Sequence, residues 1–334
     1  MVLGCLHQLM VKMTRKNKIL LTRKLHDFAL KRLRKKYAIE VHSGKIPMPK
    51  NKLIDKIRDK DGLICFPYDV IDKQVIDSAK KLRTICTYSV GYDHIDIKYA
   101  KRKKIRIGYT PKVLTEATAD LAFTLILDLL RRVTEGDRII RKGGWKEIYG
   151  VYDYVGNDLA GKTLGILGLG RIGKAVSKRA NAFGVKIIYH NRKRLARKIE
   201  ISTHSKYESL NGLLRKSDVV SIHVPYTKQT HQLVDMNFLK KMKNTSFLVN
   251  TARGNIIKEK DLVSALRKKI IAGAALDVFE NEPIGKNHPF TKMQNVVLAP
   301  HVGSSTIETR KKMTELTVKN LELALSDKKP IYTV

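Results

Sequence analysis

Cysteine is scarce in this sequence. It occurs three times in 334 residues, at Cys5, Cys65 and Cys86, scattered rather than paired. That excludes a disulfide framework and a cysteine-built metal centre, and it fits a reducing, cytoplasmic compartment. Long apolar runs are missing too. The most apolar helical stretch, Leu121–Leu130, is too short for a membrane span and carries Asp128. Acidic residues are few, 31 against 66 lysines and arginines, leaving a formal charge of +35. The cations are dispersed through every segment, among them Lys31–Lys36, Lys101–Lys104, Arg192–Lys198 and Lys240–Lys243, without interleaved stacking aromatics. This argues against a nucleic-acid groove and for a lysine-rich surface that steers small anions. No Gly-x-Ser-x-Gly elbow, Cys/His nucleophile pattern or metal-spaced His/Cys/Asp/Glu cluster occurs, so covalent and metal-assisted mechanisms have no support. At the start, Val2-Leu3-Gly4-Cys5 has no basic and apolar segments before it, as a lipoprotein leader requires. Met1–Lys16 reads as a disordered extension, with Met10 and Met13 as alternative starts.

Alternation of strand and helix is plentiful. Strand-like runs at Ile19–Thr22, Ala38–His42, Gly62–Phe66, Thr84–Tyr88 and Arg106–Tyr109 are separated by helical patterns such as His26–Lys36, Lys50–Arg58 and Lys73–Ala79. Such spacing predicts a parallel sheet with crossover helices. Thr115–Arg141 then predicts one long helix, with Leu121, Leu125, Leu129 and Val133 at helical spacing. Six further strands follow: Thr163–Leu167, Lys186–His190, Val219–His223, Phe247–Asn250, Gly273–Asp277 and Val296–Ala299. A last helix is expected at Thr306–Leu325. The fold class is thus α/β, with two doubly wound parallel-sheet domains. A Rossmann domain, 113–299, is inserted into a flavodoxin-like substrate domain made of 1–112 and 300–334.

The most informative stretch is Leu164-Gly165-Ile166-Leu167-Gly168-Leu169-Gly170-Arg171-Ile172-Gly173. An apolar strand enters a Gly-x-Gly-x-x-Gly turn, and a helix follows. Gly168 permits the tight turn, Gly170 lets backbone approach a pyrophosphate, and Gly173 lets helix pack on strand. The helix N-terminus adds N–H groups for the anion. About 20 residues on, where an NAD enzyme usually carries Asp or Glu for the ribose 2′-hydroxyl, stand Asn191, Arg192, Lys193 and Arg194. A carboxylate there would repel a 2′-phosphate, whereas Arg192 and Lys193 would attract it, which predicts NADPH as the preferred cofactor over NADH.

Three patterns follow the later strands: Thr251-Ala252-Arg253-Gly254, Asp277-Val278-Phe279-Glu280-Asn281-Glu282-Pro283, and Pro300-His301-Val302-Gly303-Ser304. Each falls at a strand's carboxyl end, where doubly wound sheets bind ligands. Combined with Tyr88-Ser89-Val90-Gly91-Tyr92-Asp93-His94-Ile95-Asp96, the run Thr110–Asp120 and Glu135-Gly136-Asp137-Arg138, they make the chain resemble the D-isomer-specific 2-hydroxyacid dehydrogenases. The resemblance runs from Lys18 to Lys329, and the branch most similar is the archaeal-type glyoxylate/hydroxypyruvate reductases.

The resemblance implies NAD(P)H-dependent reduction of a small anionic 2-oxo acid, glyoxylate or hydroxypyruvate, to the D-2-hydroxy acid. Arg253, Glu282 and His301 match the family's catalytic residues. An arginine fork suits a carboxylate, and an imidazole oriented by a carboxylate suits proton donation at neutral pH. Glu280 is the rival acid, but the family places the catalytic one directly before the proline. The backbone of Val90 and Gly91 is implied in substrate binding. Val224, Pro225 and Thr230 are implied along the adenosine–pyrophosphate side. Thr251, Ala252, Asp277 and Gly303 are implied near the nicotinamide. His223 ends a buried strand and reads as packing. A homodimer is implied, with the long helix at the subunit contact. Oxidation of D-3-phosphoglycerate or D-lactate is the rival within the class, phosphite dehydrogenase is a further relative, and a dinucleotide-sensing corepressor is the rival outside it. The chain stops soon after its last helix, which disfavours phosphoglycerate enzymes that carry a regulatory domain.

Overall fold

A computed structural model describes residues 15–44 and 47–334. Cys5, Met10, Met13 and nearly all of the expected extension lie outside the described residues. The chain divides into two compact units, the described residues up to Tyr109 with Thr314–Val334, and Thr110–Met313.

The first unit is built on strands β1 (Lys18–Leu21), β2 (Ala38–Val41), β3 (Gly62–Cys65), β4 (Thr84–Thr87) and β5 (Arg106–Gly108). All pair in parallel, in the order β2-β1-β3-β4-β5, which is the flavodoxin-like order. Leu20, Leu63, Cys65, Ile85 and Ile107 pack one face with Leu53, Ile57, Val75 and Ile76 from the crossover helices. The carboxyl half of helix Ile307–Leu325 belongs to this unit. It holds its place through the Arg32–Glu322 ion pair and through Asn320, whose amide donates to the Tyr109 carbonyl at 3.0 Å.

The second unit carries β6 (Thr163–Leu167), β7 (Lys186–His190), β8 (Ser205–Tyr207), β9 (Val219–Ile222), β10 (Phe247–Asn250), β11 (Gly273–Leu276) and β12 (Val296–Leu298). The order is β12-β11-β10-β9-β6-β7-β8, again all parallel. Counted from β6 this is the Rossmann order extended by one strand. Successive strand residues serve opposite faces. Leu248, Val220 and Ala274 join one core cluster, while Val249, Val219 and Ala275 join the other. Burying each leucine or valine is worth about 2 kcal/mol.

Two expectations are corrected here. The sheet has seven strands rather than six. The addition, Ser205–Tyr207, is a three-residue edge strand without an apolar run, so no periodicity betrays it. The single helix over Thr115–Arg141 is two, Thr115–Arg131 and Val133–Arg141, broken at Arg132 (φ 57°). Neither glycine nor proline marks the break. It is fixed by side chains: Asp128 accepts the Thr134 N–H at 2.7 Å, and the Arg132 guanidinium forks onto Glu135 at 2.8 and 2.9 Å. It also lies 4.2 Å over the Tyr154 ring. Val133, the fourth member of the expected apolar repeat, is accordingly exposed.

Candidate active site

Because every strand of the second unit runs the same way, all their carboxyl ends meet one edge, and that edge carries the candidate residues. At the end of β6, Gly168 has φ 101°, and a Cβ there would stand 2.8 Å from the His223 carbonyl carbon and the Val224 nitrogen. The loop His223-Val224-Pro225 therefore packs directly on the glycine turn. At Gly173 a Cβ would meet the Gly168 carbonyl at 2.4 Å, so helix and turn touch through backbone. Gly170, by contrast, is exposed and faces open space. The helix Arg171–Asn181 begins there, and no described group accepts the N–H of Arg171 or Ile172. An open glycine before unclaimed helix N–H groups fits a phosphate.

The remaining cofactor candidates divide into exposed groups and groups committed to the scaffold. Leu169 is buried and gives its N–H to Oδ1 of Asn191 at 2.8 Å, so Asn191 braces the turn from the end of β7. Thr230 Oγ1 donates to the Pro225 carbonyl and accepts the Thr227 N–H, both at 2.8 Å, and so staples its own loop. Arg192 and Lys193 are exposed, and no described carboxylate pairs with either. Arg194 is different: it forks onto buried Glu200 at 2.8 and 2.9 Å. The Arg194 and Tyr189 hydrogen bonds lower the Glu200 carboxyl to about 2. Thr251, directly after β10, has a buried Oγ1 with no partner among the described residues, and Ala252 gives its N–H to Asn250 Oδ1 at 3.0 Å. An orphaned hydroxyl at this edge fits a polar ligand group. The donor set therefore suits a dinucleotide, held by the Gly168–Gly173 turn and met by Thr251.

Arg253, half-buried, has extended backbone (φ −148°, ψ 141°), and its Nη1 donates to the Ala252 carbonyl at 2.9 Å. The next residue locks its loop. A Cβ at Gly254 would stand 1.9 Å from the Phe279 carbonyl, so this position has to be glycine. Glu280 is tied on the far side: it accepts the Glu259 N–H at 2.9 Å, and its own N–H goes to Glu259 Oε1 at 2.8 Å. Glu282 points the other way. Its Oε1 accepts the Phe279 N–H at 2.9 Å, and its Oε2 lies 2.7 Å from Nδ1 of His301. The two acids are thus distinguished by geometry, one on the scaffold and one on an imidazole. Both members of the His301–Glu282 pair remain partly open, with side chains 24% and 15% exposed.

His301 adopts φ 54°, uncommon for a residue with a side chain. Asp277 accounts for it. Its buried carboxylate accepts the Val302 N–H at 2.7 Å and the Gly303 N–H at 2.9 Å. Consecutive N–H groups converge on one anion, a nest that the left-handed residue makes possible. Burial raises the Asp277 carboxyl, while those N–H groups and the His301 imidazole oppose the rise. A Cβ at Gly303 would meet Asp277 Oδ2 at 3.2 Å and Thr118 Cγ2 at 3.3 Å. His223 is a neighbour without such placement. Its Nε2 lies 2.8 Å from Ser221 Oγ, and burial lowers its imidazole to about 4, so it is neutral at physiological pH.

In the first unit, Val90 and Gly91 follow β4, and no described group accepts the N–H of either.

The model of the D-isomer specific 2-hydroxyacid dehydrogenase NAD binding domain matches residues 123–303. The glyoxylate reductase of Thermofilum pendens is 46% identical, covering 94% of this chain and 93% of its own.

This chain belongs to the D-isomer-specific 2-hydroxyacid dehydrogenase family.

Solved members agree in fold. A glyoxylate reductase from Paecilomyes thermophila superposes with a TM-score of 0.84 at 33% identity, covering 96% of this chain and 98% of that one. The NADPH-dependent glyoxylate/hydroxypyruvate reductase of Sinorhizobium meliloti, solved with NADP and malonate, gives 0.85 at 31%, covering 96% and 97%. As a member of the family this chain is an oxidoreductase that binds a nicotinamide cofactor and reduces 2-oxo acids. Among the described residues no helix is long and apolar enough to cross a membrane, and no group of acids, histidines and cysteines could hold a metal. Sequence reasoning missed Gly254 as the lock on the arginine loop, for which a glycine directly after the arginine was the available signal. It named Asp277, but for the nicotinamide; among the described residues that carboxylate is committed to the Val302 and Gly303 N–H groups of the histidine loop.

Proposed function

We propose that this dehydrogenase reduces glyoxylate or hydroxypyruvate with NADPH. The observation that carries the reading is the 2.7 Å contact between His301 Nδ1 and Glu282. It holds Nδ1 on the carboxylate, which assigns proton delivery to Nε2. When bound, the nicotinamide supplies a hydride to the substrate carbonyl carbon. Arg253 binds the substrate carboxylate through its planar fork, with further donors from the Val90 and Gly91 N–H groups. His301 Nε2 protonates the developing alkoxide, and Glu282 holds the ring in that tautomer. Asp277 keeps the histidine loop in place. Arg192 and Lys193 supply charge for a 2′-phosphate.

The test is a spectrophotometric screen of glyoxylate, hydroxypyruvate, pyruvate and phosphohydroxypyruvate with NADPH and with NADH. Turnover of the first two, with lower KM for NADPH, is expected. Turnover confined to pyruvate or phosphohydroxypyruvate would replace the substrate reading. Salt-sensitive DNA binding without any turnover would favour a corepressor.

The protein is also proposed to be a homodimer. Ile148, Val151 and Tyr152 are 94%, 85% and 91% exposed, and Val133, Ile140 and Trp145 nearby in sequence are exposed as well, an apolar arm that a second copy would cover.

A further inference from the structure

The two N–H groups assigned to the substrate carboxylate belong to a loop whose orientation must be set by something. Four side chains at the carboxyl ends of β3 and β4 bear on it. Ser89 Oγ donates to the Gly91 carbonyl. Thr87 Oγ1 lies 3.0 Å from Ser89 Oγ and 2.9 Å from His94 Nε2. Cys65 Sγ lies 3.9 Å from the same nitrogen. Thr87 and Ser89 are buried. None of these residues belongs to the reaction as assigned above.

The protons in this cluster can be ordered. A carbonyl only accepts, so the Ser89 hydroxyl proton points at Gly91. Ser89 must then accept from Thr87, because otherwise two lone pairs would face each other at 3.0 Å. With its single proton given to Ser89, Thr87 must accept from His94. All three contacts are satisfied together only when His94 carries its proton on Nε2. Cys65 does not compete as an anion, since burial pushes its thiol well above the ordinary range. His94 is itself fixed by its backbone, whose carbonyl accepts the Ile71 N–H at 2.8 Å.

We propose that His94, acting through Thr87 and Ser89, is a positioning residue that fixes the Gly91 carbonyl and so holds the turn that carries the Val90 and Gly91 N–H groups of the carboxylate cradle. The proposal rests on the reading of Val90 and Gly91 as that cradle. It assigns to the His94-Thr87-Ser89 set a task in substrate affinity rather than in folding alone. Breaking the chain at its middle loosens the loop, so the penalty falls on the 2-oxo acid and not on the dinucleotide.

The experiment pairs steady-state kinetics with a tautomer measurement. In Thr87→Val the shape is kept and the hydroxyl removed. The KM for glyoxylate is expected to rise about tenfold, the size of one hydrogen bond's worth of binding, with the KM for NADPH unchanged. Thr87→Ser restores the hydroxyl and should restore the KM. His94→Leu, which removes the donor, should behave like Thr87→Val, and it also serves if the valine variant does not fold. Long-range ¹H–¹⁵N correlation on ¹⁵N-histidine protein, with His94 assigned by its loss in His94→Leu, should show the Nε2–H tautomer. An unchanged glyoxylate KM in both variants, or equal rises for glyoxylate and NADPH, overturns the proposal. So does an Nδ1–H tautomer. If the wild-type enzyme turns over neither glyoxylate nor hydroxypyruvate, the functional reading fails by itself, and the tautomer still decides the order of the hydrogen bonds.

Discussion

Glu282 reaches His301 with one carboxylate oxygen, 2.7 Å from Nδ1, and holds the Phe279 N–H with the other at 2.9 Å. The acid is therefore anchored before it orients the ring. Glu282→Gln keeps the shape, but it removes the charge and leaves one acceptor oxygen for two N–H donors. The expected result is a fall in kcat of about 10²-fold, the lower range for a perturbed general acid. Glu280→Gln is the control. Among the described residues its carboxylate accepts only a backbone N–H from Glu259, which an amide oxygen can also do, and activity should stay within about threefold of wild type. Equal losses in both variants would count against Glu282 as the acid's partner.

How much of this was legible beforehand follows from where the signal lies. Strands buried on both faces read as continuous apolar runs, and the expected spans at Thr163–Leu167, Lys186–His190 and Phe247–Asn250 coincide with β6, β7 and β10. The Gly-x-Gly-x-x-Gly turn was legible because backbone proximity admits only glycine, as the 2.8 Å and 2.4 Å approaches at Gly168 and Gly173 demonstrate. The break at Arg132 was not. It depends on a carboxylate at Asp128 and a phenol ring at Tyr154, partners distant from any local breaker. The nest beneath Asp277 was equally hidden, since no composition marks a left-handed histidine. Nor could a row of cations reveal that Arg194 is tied to Glu200 while Arg192 and Lys193 have no carboxylate partner among the described residues.

That last distinction makes a prediction about cofactor choice. Arg192→Ala and Lys193→Ala should each raise the KM for NADPH, by about tenfold for a lost charged hydrogen bond, and leave the KM for NADH unaltered. Arg194→Ala should act elsewhere. It removes the fork from Glu200, a buried acid held at about 2 by that arginine and Tyr189, so thermal stability should drop before cofactor preference changes. Initial rates with both cofactors and a melting curve for each variant separate the cases. An NADPH/NADH ratio unmoved by the first two substitutions would sink the NADPH assignment.

His223 gives a prediction about acid. Its imidazole is lowered to about 4 in the folded protein by burial, against 6.5 ordinarily. Between those values the unfolded chain binds the proton and the folded chain does not. Stability therefore falls as pH drops from about 6.5 to about 4, and is fully present above that window. His223→Asn removes the titrating ring while keeping a polar partner for Ser221 Oγ, which lies 2.8 Å from Nε2. Melting temperature plotted from pH 7 to pH 4 should decline less steeply in the variant. Parallel curves would mean that His223 is protonated as readily in the fold as outside it.

The apolar arm tests the dimer. Ile148 and Tyr152 are almost wholly exposed in the isolated chain, so replacing them costs the monomer little. If they are covered by a second copy, Ile148→Asp with Tyr152→Asp places two unpaired charges in an apolar contact, and the dimer should dissociate. Sedimentation velocity of wild type should give about twice the 38.0 kDa chain mass and that of the double variant the chain mass alone. Circular dichroism should remain native in both. A wild-type protein that sediments as a monomer at micromolar concentration would leave the arm without its proposed partner, whereas a dimer that survives both aspartates would place the contact on another surface.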